Sequence, residues 1–126
     1  MYLEAVTVCV NYGDFLAWTI KENRHHFGYD EWNRSNWIIV TDSKDIHTKR
    51  ICEYYNVRYI QTDVFYDGGA TFNKANGINA GLELLTKKDW VLHIDADIYL
   101  PPRVGQILRK YPLDHNCIYG FDRFNC

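Results

Sequence analysis

The sequence predicts an α/β fold, a doubly wound and mostly parallel sheet of the Rossmann-like type. Three observations carry this. Short apolar runs rich in β-branched residues recur along the 126 residues, and segments with helical spacing separate them. Strand and helix alternate throughout, as parallel strands joined by right-handed crossovers require. One run, WVLHIDADIYL at Trp90–Leu100, ends in two carboxylates, Asp95 and Asp97. Strand tips of that kind hold ligands in such sheets.

The elements are taken in chain order. Ala5–Asn11 is apolar on both faces, the mark of a strand covered on both sides. Tyr12-Gly13-Asp14 makes the turn, with Asp14 expected as the N-cap of a helix from Phe15 to about Phe27. Leu16, Ile20, Asn23 and Phe27 form its inner side. Trp37–Thr41 is the second strand, closed by Asp42 and Ser43. A helix from about Asp45 to Tyr55 buries Ile51, Cys52 and Tyr55, and Val57–Gln61 is the third strand. Gly68-Gly69 marks a turned loop. A helix from about Phe72 to Thr86 then sets Ala75, Ile78, Leu82 and Leu85 at spacings of three and four. Trp90–Ile94 is the fourth strand. Pro101-Pro102 is expected in the first turn of a last helix, with Val104, Ile107, Leu108 and Tyr111 inward. Cys117–Phe121 is expected to be a short final strand. In the strand order 3-2-1-4, the switch point falls between the first and fourth strands.

The totals bound the function. The length suits one domain, residues 1–126, with a core that needs no disulfides. Net charge is −2 and no Lys/Arg stripe exists, which argues against a nucleic-acid partner. Ten Tyr, six Phe and four Trp are too many for the core alone, so some line a cleft or the surface. Cys9, Cys52, Cys117 and Cys126 are scattered, and no secretory leader opens the sequence. They are expected to be reduced, in a cytoplasmic protein, with Cys9 and Cys52 in the core. No apolar run is long enough to cross a bilayer.

Asp95 and Asp97 lie two apart, so a strand projects both to one side. A divalent cation, Mg²⁺ or Mn²⁺, relieves their repulsion and takes oxygen ligands, usually with substrate phosphates. The structural alternative is a polar turn that closes the buried strand, with the aspartates capping the next segment. Lys74 in the first turn of a helix sits against the dipole, which an anion shared with the helix amides would relieve. Asn79, on the same helix, either meets a ligand or hydrogen-bonds in the interior.

At these residues the sequence resembles the family 2 glycosyltransferases of the GT-A fold. Asn73–Leu82, NKANGINAGL, is similar to that family's Gly-Lys-x-x-Ala-Leu-Asn-x-Gly-Leu segment, matching at Lys74, Asn79, Gly81 and Leu82. WVLHIDAD resembles its strand ending in Asp-x-Asp, and the opening strand with Asn11-Tyr12 and the second strand with Asp42 fall in the family's order. The resemblance spans about residues 4–122. It implies a donor-binding domain for a nucleotide-diphospho-sugar, a UDP-sugar first, whose sugar passes to an unidentified sugar or glycan acceptor. It further implies that Asn11, Tyr12 and Asp42 cradle base and ribose, with Asp42 accepting from a base N–H. Lys74 would meet the diphosphate, with Asn79 on its helix also facing the ligand. Asp95 would meet ribose or sugar, and Asp95 and Asp97 would hold the Mn²⁺ or Mg²⁺.

The sequence also departs from the family. Val10-Asn11-Tyr12 stands where Pro-x-Tyr-Asn is common, and Asp42-Ser43-Lys44-Asp45 replaces Asp-Gly-Ser. Family members are usually longer, with an acceptor half that supplies a general base. The expectation is therefore a fragment that binds nucleotide and transfers sugar poorly. Asp114 and Asp122 are base candidates only by elimination. The final strand, with Ile118, Tyr119, Phe121 and Phe124, is expected at an exposed edge that invites self-association. The principal alternative is a non-catalytic nucleotide-binding module of the same fold. A sugar-phosphate nucleotidyltransferase would carry a Gly-rich basic loop where NYGDF stands, and a receiver-like domain would cluster acids at the first strand's end.

Overall fold

The computed structural model describes residues 1–122. Four parallel strands, β1 (Leu3–Val8), β2 (Trp37–Thr41), β3 (Arg58–Gln61) and β4 (Trp90–His93), pair in the order β3-β2-β1-β4. The helices are α1 (Gly13–Asn23), α2 (Ile46–Tyr55), α3 (Lys74–Glu83) and α4 (Val104–Arg109). A short 3₁₀ turn at Arg24–His26 and a kinked segment at Val64–Gly69 complete the chain path.

Alternation along the strands divides the core into two layers. Ala5, Cys9, Trp37 and Ile39 face α1 and α2, where Leu16, Ile20, Ile51 and Cys52 meet them. Val6, Val8, Ile38 and Val40 pack with Phe65 and Leu85 on the opposite side, where α3 contributes Ile78 and Leu82. Each fully buried aliphatic side chain contributes about 1.5–3 kcal/mol through apolar area removed from water. Trp37 is buried without leaving its N–H idle. It donates to the Thr7 hydroxyl at 2.9 Å, which donates to the Ile94 carbonyl at 2.7 Å. Glu4, also buried, accepts the N–H groups of Thr86 and Lys87, each at 2.8 Å.

α3 lies close to the sheet because of a glycine. A Cβ on Gly81 would stand 2.6 Å from Val6 Cγ2 and 2.8 Å from Val40 Cγ2. Gly81→Ala is therefore expected to lower stability by about 1–2 kcal/mol. Overpacking costs about 1–3 kcal/mol and outweighs the gain of up to about 1 kcal/mol in helix propensity. An unchanged or higher urea midpoint would contradict this.

Several boundaries differ from those predicted. β1 pairs from Leu3, because β4 offers Trp90 as its partner. Although Cys9 N–H still reaches Val40 O at 2.9 Å, the chain then leaves the sheet. Asp14 does not cap α1. Tyr12 is the N-cap residue and makes no side-chain cap bond, while Asp14 reaches His47 at 3.0 Å. α1 passes at Asn23 into the 3₁₀ turn that delivers Phe27 to the core. Asn56 in the left-handed region ends α2, so Val57 N–H bonds back to Cys52 O and β3 starts at Arg58. α3 starts later than predicted, since Phe72 stacks on Phe65 and Asn73 caps the helix by accepting from Asn76 N–H. Ala75 is exposed.

Pro101-Pro102 precede α4 rather than occupying its first turn. Arg103, at φ 64°, breaks the helical path between them. Val104 is buried and Leu108 half-buried, whereas Ile107 and Tyr111 are exposed. The expected fifth strand is a correction too. Cys117–Phe121 pairs with no strand among the described residues, and Ile118, Tyr119 and Phe121 are exposed. The segment is held by its neighbours instead. His115 stacks on Trp90 and bonds to Asp89 at 2.8 Å, and the Tyr119 hydroxyl accepts from Asp114 N–H. Phe124 and Cys126 lie outside the described residues. Cys9 and Cys52 are free and buried, and Cys117 is free and exposed. Among the described residues no helix is long and apolar enough to cross a membrane.

Candidate functional site at the strand tips

The carboxyl ends of β1, β2 and β4 open on one side of the sheet. At β1's end Asn11 takes φ 55°, a left-handed conformation that Asn tolerates better than most residues. Its N–H donates to Asp45 Oδ2 at 2.8 Å. Asp45, buried as the N-cap of α2, also accepts from Thr48 N–H and from the hydroxyls of Thr41 and Thr48. One carboxylate thus ties the tips of β1 and β2 to α2.

Beyond β4, burial still alternates. Ile94 and Ala96 are buried, while Asp95 is half-buried and Asp97 exposed. Side chains of α1 clamp this turn from within. The Thr19 hydroxyl donates to Ala96 O at 2.5 Å, and the Asn23 amide donates to Ile98 O at 2.6 Å and accepts from Leu100 N–H at 3.0 Å. With the inner residues fixed, the two aspartates flank Ala96 on the outward side.

Tyr12 joins the two tips. Its hydroxyl lies 3.4 Å from Asp97 Oδ2 and its ring stacks on Phe15 at 4.2 Å. Lost hydration raises the Tyr12 phenol's pKa first, followed by the charges of Asp97 and Asp95. It therefore stays a hydroxyl donor at neutral pH. Lys74, the first residue of α3, reaches Asp95 Oδ1 at 2.8 Å, and His93 lies 3.8 Å from the same oxygen. Burial lowers the His93 pKa, as does Lys74, against the opposing pull of Asp95. The Lys74–Asp95 pair is well exposed, with 45% and 35% of the side chains accessible. Such a pair contributes about 0–1 kcal/mol to stability, so Lys74 can exchange partners at little cost.

At β2's tip, Asp42 Oδ1 accepts Lys44 N–H at 2.7 Å and Oδ2 accepts the Tyr66 hydroxyl. The Tyr66 bond is the largest influence holding the Asp42 carboxyl below the usual range. Asn11, Asp42, Lys44, Asp63 and Tyr66 line a cavity of about 490 Å³. A second cavity of about 290 Å³ runs from Asn11 and Tyr12 past Phe15 to Asp45 and His47.

Of the residues singled out in the sequence, Tyr12, Asp95, Asp97 and Lys74 come together, and Asn11 and Asp42 meet at the larger cavity. Asn79 stands apart. It is exposed, which excludes the interior hydrogen bond, and five residues turn it about 140° around α3 from Lys74. Among the described residues no three His, Cys, Asp or Glu side chains form a metal-binding group. Asp114 lies beside His115, at the amino end of β4 and away from these tips. Sequence reasoning missed Tyr66, whose only signal was an aromatic just before Gly68-Gly69, and gave Asp45 no role beyond starting a helix.

No curated protein matches the chain. The family model described as Glycosyl transferase family 2 matches residues 4–125, nearly the whole sequence, and the chain belongs to that family.

Proposed function

We propose that this chain is the donor-binding domain of a glycosyltransferase, binding a nucleotide-diphospho-sugar across the tips of β1, β2 and β4 with a divalent cation. The observation that carries the reading is the meeting of Asp97, Asp95, Tyr12 and Lys74 at the carboxyl ends of two adjacent strands. Asn11 and Asp42 hold base and ribose in the larger cavity. Lys74, at the start of α3, leaves Asp95 for the diphosphate, where the helix amides add to its charge. The donor set of Asp95 and Asp97 suits Mg²⁺ or Mn²⁺, which keep several water or phosphate ligands and need few from the protein. When bound, that cation supplies neutralisation of the charge the leaving nucleoside diphosphate gains. Asp97 and Asp95 would hold this charge sink, and Lys74 adds a second one.

The position of Asp114 favours a second reading, binding without efficient turnover, because that candidate base lies at the other end of the sheet. Calorimetry against UDP, GDP, CDP and dTDP, with Mn²⁺ and with chelator, tests the first, and a sugar-transfer assay with nucleotide-diphospho-sugars tests the second. Metal-dependent binding of a diphosphate is expected, UDP first, with little or no sugar transfer by the 126-residue chain. Binding indifferent to chelator would refute the first reading, and robust turnover would refute the second.

A further inference from the structure

We propose that Tyr66 is a specificity-determining positioning residue: its hydroxyl fixes the Asp42 carboxylate as an acceptor edge that selects nucleobases carrying a ring N–H on their pairing edge. This rests on the reading of Asp42 as the base-contacting residue.

The geometry is that of a carboxylate pinned at both ends. Lys44 N–H occupies one position on Oδ1, and the Tyr66 hydroxyl occupies one on Oδ2. An ionised carboxylate accepts at about four sites. Acceptor capacity therefore remains on each oxygen, and both residues border the larger cavity. With its two ends tied, the carboxylate plane has little freedom to rotate. Tyr66 is itself anchored, although 40% exposed. Its N–H donates to Asp63 O at 3.0 Å. Its ring packs against Phe65, which is fully buried and stacked on Phe72 at 5.0 Å.

The charges facing Asp42 are Lys44, which favours the ionised form, and Asp45, which opposes it; Asp63 shares the cavity wall. The Tyr66 hydrogen bond outweighs each of these in keeping Asp42 ionised. Asp42 in turn raises the phenol's pKa, so Tyr66 remains a donor at neutral pH. A carboxylate locked in this state can only accept. Uracil, thymine and guanine present a ring N–H to it, whereas the corresponding ring nitrogen of cytosine is itself an acceptor. Sites built to pair one hydrogen-bonding pattern reject its opposite strongly, because the buried groups are left unpaired.

The test is Tyr66→Phe, which keeps the ring and removes the hydroxyl. UDP and CDP are titrated by calorimetry with Mn²⁺ from about pH 3 to 7.5, a range that spans carboxylate protonation. The variant is expected to bind UDP about fivefold more weakly at neutral pH and to lose most of the preference for UDP over CDP. Its acidic limb is expected to move to higher pH, since Asp42 protonates more readily without the donor. Protonation of the diphosphate is common to both proteins and cancels in the comparison. An unchanged UDP/CDP ratio and acidic limb in Tyr66→Phe would overturn the proposal. Asp42→Asn separates the two failures. If it weakens UDP while Tyr66→Phe changes nothing, only the role of Tyr66 falls. If it too changes nothing, the base site at Asp42 falls and Tyr66 with it.

Discussion

Asp97→Ala is expected to reduce Mn²⁺-dependent UDP affinity by more than about 100-fold, since even residues that merely support metal ligands are worth about 10–100-fold. Stability should hardly change, because Asp97 is exposed and its one long hydrogen bond comes from Tyr12 at 3.4 Å. Surface substitutions of that kind stay within about 0.5 kcal/mol. In chelator the variant and the parent should bind UDP equally weakly, because the carboxylate then has no cation to hold. Asp95→Asn should be milder in affinity, since it also frees Lys74 for the diphosphate. Calorimetry on the three proteins separates these effects. Equal Mn²⁺-dependent affinities for Asp97→Ala and the parent would remove Asp97 from the site.

The largest effect on folding is expected at Asp45. Asp45→Ala should cost about 3–5 kcal/mol, by removing a helix cap and stranding buried and part-buried donors. Those donors are the N–H groups of Asn11 and Thr48 and the hydroxyls of Thr41 and Thr48. Rotation of the hydroxyls keeps the loss below a full sum. Asp45→Asn retains a capping shape but turns an amide N–H₂ toward donors, so it should fall between. Burial pushes the Asp45 carboxyl up, but the bonds from Thr48, Asn11 and Thr41 outweigh this and hold it below the usual range. The unfolded chain therefore binds its proton more readily. The contribution is fully present above the ordinary carboxylate pKa and is lost as pH falls through the lower folded value. Urea midpoints at neutral and acidic pH should converge for parent and Asp45→Ala as pH drops. A constant gap would contradict the assignment.

The sheet was legible because its strands are written in runs that only a doubly covered sheet can bury. WIIVT is buried at every position, and such runs alternating with helices foretell a parallel sheet, whose assumed 3-2-1-4 order the structure bears out. Helix ends were less legible, because they are decided by tertiary partners. Asp14 is a good N-cap residue locally, yet His47 from another helix takes its carboxylate. Phe72 fits a helix by spacing, yet Phe65 draws it into a stack before α3 begins. CIYGF has strand composition, but composition cannot tell a paired strand from one held by His115 on Trp90. Within the site, Asp95, Asp97 and Lys74 were readable because their charges are anomalous at a strand tip and a helix start. The Tyr66–Asp42 bond joins residues 24 apart, with α2 and β3 between them, and no local pattern foretells it.

A cation held at the tips of β1 and β4, gripping a diphosphate, is what the proposed function requires above all. An amide NMR titration of the ¹⁵N-labelled chain with UDP, with and without Mg²⁺, tests it directly. Mg²⁺-dependent shifts are expected at Asn11, Tyr12, Lys74 and Asp95–Asp97, with Trp90 and His115 at the opposite end silent. Shifts that ignore Mg²⁺, or that gather away from those residues, would contradict it.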